Sequence, residues 1–64
     1  MSAIEEVVNF LVSLRSVDLL CTFLENTSIT KLTAIIQQLR PIENKNYQQQ
    51  LVFSYAMHFR YLKN

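Results

Sequence analysis

Tyr47 to Leu62, YQQQLVFSYAMHFRYL, is the stretch on which the fold turns. Placed on a helix at about 100° per residue, Leu51, Val52, Tyr55, Phe59 and Leu62 form one broad apolar face. Phe53, Met57 and Tyr61, spaced i, i+4 and i+8, form a second stripe on nearly the opposite side. Gln50, Ser54 and His58 separate the faces on one flank, Gln49 and Arg60 on the other. A helix that is apolar on two sides is central in its fold or shared with a partner. Sixty-four residues leave little material to cover both faces, so the rest of the chain is read for what it can cover.

A chain this short buries only about 60% of its unfolded surface and usually needs a staple. Cys21 is the only cysteine, which excludes an internal disulfide, and Cys21 with the single His58 cannot close a four-ligand zinc site. One free thiol fits a reducing, cytoplasmic setting. Oligomerisation remains as the staple. Half the residues are apolar and only 17% are charged, against about 25% in an average domain. No stretch approaches the roughly 18 apolar residues of a membrane span, and Glu5 and Glu6 stand where a signal peptide would carry basic residues.

Walking back from the C-terminal stretch, Asn46 is placed to cap it, and Ile42 to Asn46, IENKN, reads as a charged turn. Pro41 ends a preceding helix whose Ile29, Leu32, Ile35, Ile36 and Leu39 recur at helical spacing, with Thr27 or Ser28 as its cap. Residues 17–25 are almost wholly apolar, with Val17, Leu19, Leu20, Cys21, Phe23 and Leu24, and are expected to be the most buried element. With no glycine in the chain, Asn26 is the best candidate for a left-handed residue after that helix.

The N-terminal helix opens on a capping box, Ser2 with Glu5, and carries the stripe Ile4, Val7, Val8, Leu11 and Leu14, widened by Phe10 and Val12. Polar residues from Glu5 to Ser16 cluster on one side of the wheel, whereas Asp18, Thr22 and Glu25 cluster about 180° away. A continuous straight helix would have to switch its wet face in two residues, so a break is expected near Ser16, with Ser16 capping a second helix; the rival reading is one long helix with partners on both sides.

The expected fold is therefore all-α: a single helical domain over residues 1–64, with helices at about 3–15, 17–25, 29–40 and 47–62 in a small bundle or orthogonal array. The C-terminal helix is expected to be central, with its Leu51/Tyr55/Phe59/Leu62 side covered within the chain and dimerisation through its other face completing the fold.

Chemistry of a catalytic kind finds little support. Without glycine there is no phosphate loop or dinucleotide fingerprint. Cys21 in an apolar helix reads as a small core residue, and His58 as a boundary histidine, since Glu43 is the only carboxylate in the C-terminal half. No enzyme, metal or cofactor is expected. Phe53, Met57 and Tyr61, with the neighbouring Arg60, are instead the candidate interface: tyrosine and methionine are enriched in such surfaces and lysine, absent from the stripe, is depleted.

Charge is unevenly spread. Residues 1–30 hold Glu5, Glu6, Asp18 and Glu25 against Arg15, a net of −3; residues 31–64 hold Lys31, Arg40, Lys45, Arg60 and Lys63 against Glu43, a net of +4. A basic face for an acidic partner, or two subunits pairing acidic half on basic half, would follow. The alternative is nucleic acid: Leu19 to Leu39 reads as the first two helices of a helix-turn-helix unit. Gln48, Gln49 and Gln50 would then meet base edges, with Arg40 and Lys45 near the phosphates.

The polar cap Thr30-Lys31, the apolar positions Leu32, Ile35, Ile36 and Leu39, the polar turn and the long final helix make residues 27–61 resemble small enterobacterial biofilm and acid-resistance regulators, the connector proteins of two-component systems. That resemblance implies a helical dimer built on the last helix. Arg40-Pro41 replaces an acidic residue of that pattern, and the first 25 residues depart from it. Tyr55 to Arg60 also resembles the Hha-like nucleoid modulators. The functional expectation is a small cytoplasmic regulator or adaptor that binds a further, unidentified protein as a homodimer, off the membrane.

Overall fold

The computed structural model of the chain describes residues 3–63. Four helices follow in order, α1 (Ala3–Ser13), α2 (Val17–Glu25), α3 (Ile29–Leu39) and α4 (Tyr47–Lys63), and no strand is present among the described residues. Among the described residues no helix is long and apolar enough to cross a membrane. The proposed Ser2–Glu5 box involves Ser2, which lies outside the described residues.

Local chemistry sets most of the boundaries. α1 stops at Ser13, two residues sooner than the periodicity implies, where the Ser13 hydroxyl donates to the Phe10 carbonyl at 2.7 Å. The break before α2 is present: Ser16 is extended at φ −116°, ψ 124°, and its side chain accepts from the Leu19 N–H at 3.3 Å. Ser28 caps α3 in the same way, accepting from the Lys31 N–H at 3.2 Å. Asn46 and Gln49 cap α4 reciprocally. The Gln49 N–H donates to the Asn46 Oδ1 at 2.8 Å and the Asn46 N–H to the Gln49 Oε1 at 2.9 Å, the pairing of a capping box.

Two turn mechanisms differ from expectation. Asn26 is not left-handed (φ −95°, ψ 8°), and no described residue has positive φ. Side chains close α2 instead: Asn26 Nδ2 donates to the Thr22 carbonyl at 2.8 Å and Thr27 Oγ1 to the Phe23 carbonyl at 2.7 Å, satisfying carbonyls that a helix end leaves open. Arg40, although it precedes proline, keeps helical angles (φ −54°, ψ −44°), and its N–H bonds the Ile36 carbonyl at 2.8 Å. Pro41 ends α3 because it has no N–H to offer the following rung, rather than by forcing Arg40 out of the α region.

The core is centred on α3. Leu32, Ile35, Ile36 and Leu39 are buried there, joined by Leu11 of α1, Leu20 and Leu24 of α2, and Val52 and Ala56 of α4. The expectation that α2 is the most buried helix is therefore overturned. Only Leu20 and Leu24 of α2 face fully inward, while Val17 and Leu19 are exposed. The polar side of α2, Asp18, Thr22 and Glu25, turns outward and carries the flanking Val17 and Leu19 with it, and the helix lies at the edge of the bundle. α4 does pack against each of the other three helices. Its buried midline is Val52 and Ala56, flanked by half-buried Leu51, Phe53, Tyr55 and Phe59. Leu62, expected on the covered face, is 59% exposed, because the buried midline runs between the two apolar faces instead of down the centre of one.

Removal of the α3 cap by Ser28→Ala is expected to cost about 1 kcal/mol. Ser28→Asp should retain most of the stability, since the carboxylate keeps the acceptor and suits the helix N-terminus. Urea midpoints of the two variants check this; an unchanged midpoint in Ser28→Ala would show that the Ser28–Lys31 bond contributes nothing.

Candidate functional site

α3 and α4 lie side by side, and a groove of about 390 Å³ runs between their outer surfaces. Thr33, Ile36 and Arg40 line it from α3; Met57, Arg60 and Tyr61 line it from α4. The helical repeat makes this alignment: Met57, Arg60 and Tyr61 sit at i, i+3 and i+4 on one side of α4, and Thr33, Ile36 and Arg40 at i, i+3 and i+7 on one side of α3. Ile36 is the buried floor, whereas Met57 is 44% and Tyr61 77% exposed.

Arg60 is set in place by a bond from its Nε–H to the Thr33 Oγ1 at 2.8 Å. One donor of the planar guanidinium is used in this way, and the fork has others. Arg40 is exposed at the α3 end of the groove. No acidic side chain lines it. The groove thus offers two positive charges, that of Arg60 held by Thr33 and that of Arg40 exposed, with a thioether and a phenol ring above an aliphatic floor. At the end of α4, Lys63 Nζ donates to the Thr27 carbonyl and ties the helix to the α2–α3 turn.

Of the interface residues expected from sequence, Met57, Tyr61 and Arg60 come together here. Phe53 does not join them; it is half-buried against the core, with Lys45 Nζ 4.6 Å from its ring centroid. The side chains weighed for nucleic acid are scattered. Lys45 also donates to the Ile42 carbonyl at 2.9 Å, Gln49 is held in the α4 cap, and Gln48 is half-buried beside the α1–α2 connection. Gln50 is exposed, with its amide reaching back to the Lys45 carbonyl at 3.4 Å, and Arg40 is exposed and shared with the groove. His58 is exposed and stands edge-on to Phe59 at 5.5 Å; Cys21 is half-buried.

A second surface was not anticipated. Phe10, Leu14, Leu19, Thr22 and Phe23 form a shallow, almost wholly apolar hollow of about 260 Å³ between α1 and α2. The Phe10 and Phe23 rings pack at 5.7 Å with a 52° tilt, yet Phe10 remains 50% and Leu19 59% exposed. The signal available in sequence was Phe10, which widens the α1 stripe beyond what one neighbouring helix can cover.

Comparison with known proteins gives no match: no family model, no curated protein and no solved structure aligns with this chain.

Proposed function

We propose that the chain is a small, non-enzymatic regulatory or adaptor protein that acts by protein–protein interaction and associates with itself, as a homodimer or larger, through the exposed face of α4. The observation that carries this is the groove of Met57, Tyr61, Arg60 and Arg40, where apolar surface and uncompensated positive charge coincide. Large apolar side chains exposed on a 64-residue chain are the usual mark of a surface that another protein covers. Tyrosine, methionine and arginine are the residue types favoured there. The single free cysteine agrees with a reducing, cytoplasmic setting.

Light scattering at micromolar concentration tests this: at least twice the 7.5 kDa chain mass is expected, and Met57→Glu should return it to a single chain, since a carboxylate buried in an interface without a partner costs several kcal/mol. A 7.5 kDa species at every concentration would remove self-association from the proposal. Nucleic acid remains the runner-up through exposed Arg40. A gel shift with mixed-sequence duplex at about 50 mM salt, where electrostatic binding is strongest, is expected to show no complex; a shifted band would favour the runner-up.

A further inference from the structure

The two exposed surfaces are opposite in character. The α3–α4 groove is basic, with Arg40 and Arg60 in its walls. The α1–α2 hollow has an acidic margin. Asp18 and Glu25 lie within about 60° of Thr22 on the α2 wheel, and Glu6 lies one turn before Phe10 on α1. Asp18, Glu25 and Glu6 are all exposed. Two cations stand near this surface, Arg15 in the α1–α2 connection and Lys31, which borders Thr22 and Phe23 from α3, against the three carboxylates. The outer side of α2 is thus an acidic helix face with exposed apolar side chains, Leu19 above all. A basic groove with a Met/Tyr rim and an aliphatic floor fits such a face.

We propose that the two surfaces cover one another between copies: the α1–α2 face of one chain seats in the α3–α4 groove of the next. This rests on the self-association proposed above and names the surfaces that meet. Two identical α4 faces would instead bring Arg40 and Arg60 of one copy against the same cations of the other, where like charges oppose assembly. Acidic face on basic groove removes that repulsion and buries both apolar patches in one contact. Two copies that exchange both contacts about a two-fold axis close as a dimer, whereas a single head-to-tail contact leaves one free face of each kind and grows until a ring closes or another protein caps it. The segregation of net −3 in residues 1–30 from net +4 in residues 31–64 is then the charge code of the assembly.

Leu19→Lys and Met57→Glu test the pairing, since each puts a like charge into one surface and both positions are exposed, so the fold survives. Helical circular dichroism verifies that. Each variant alone is expected to associate at least about tenfold more weakly than the parent by sedimentation velocity. An equimolar mixture should regain association, because the intact groove of Leu19→Lys meets the intact α1–α2 face of Met57→Glu, and in the reverse contact the new lysine faces the new glutamate. Raising salt weakens the parental assembly, whereas screening would strengthen a contact between two basic α4 faces. A parent that associates while Leu19→Lys matches it, or a mixture that fails to recover, overturns the pairing and leaves self-association through α4 standing. A parent that stays a single chain up to about 100 μM, a concentration at which an affinity near −5.5 kcal/mol would already show, overturns both.

Discussion

Leu32→Ala is expected to lose about 2–5 kcal/mol of stability, the cost of emptying a fully buried leucine site. The site lies on the buried face of α3, so a cavity there disturbs the centre of the fold and not its edge. A chain of 64 residues has on the order of 3–10 kcal/mol to lose, so this one truncation should bring the protein close to unfolding at 37 °C. Leu62→Ala makes the contrast. Both leucines sit in apolar stripes of the sequence, but Leu62 is mostly exposed, and its truncation should stay within about 0.5 kcal/mol. Urea titrations of the two variants at one low protein concentration measure the difference. Comparable losses would place Leu62 in the core and contradict the arrangement of α4.

Neighbouring positions on α4 should respond oppositely to the same substitution. Ala56 is fully buried and Met57 faces the groove. Ala56→Glu forces a charge and a larger side chain into the contact of α4 with the core, at a cost of several kcal/mol, and is expected to abolish cooperative thermal unfolding. Met57→Glu should keep the helical signal. Its effect is expected elsewhere: if the chain associates as proposed, the parent's melting temperature should rise with protein concentration by mass action, and that of Met57→Glu should not. A folded Ala56→Glu protein would show that the midline of α4 is not where Val52 and Ala56 place it. A parent melting temperature independent of concentration would count against association.

The elements themselves were legible because their signals are local. Ser16, Ser28 and Asn46 announce helix starts by their own hydrogen-bonding chemistry, and the reversal of the polar face between Ser16 and Asp18 favoured a break over one long helix with partners on both sides. Which way an apolar helix turns is not local. On α2, Asp18, Thr22 and Glu25 set Leu20 opposite the wet side, but how far the flanking Leu19 would be covered depended on which helices stood beside it. Ala56 escaped notice between two larger stripes although it marks where α4 comes closest to the core. At the candidate site, Met57, Arg60 and Tyr61 were recoverable from spacing on one helix. Their companions on α3 were not, because the bond that joins Arg60 to Thr33 spans 27 positions of sequence. The α1–α2 hollow was signalled only by Phe10 at the edge of its stripe; its other wall appears only where Phe10 meets Phe23.

The turn after α2, closed by the side chains of Asn26 and Thr27 without a left-handed residue, bears on the denatured chain as well as the native one. Glycine loses more backbone freedom on folding than any other residue, and exchanging a glycine for a compatible residue gains about 0.4–1 kcal/mol by restricting the unfolded ensemble. A chain that makes its turns with no glycine at all starts from a stiffer, less populous ensemble. Its small core therefore has less disorder to overcome, which lets so short a sequence spend several of its large apolar side chains on outward-facing surfaces.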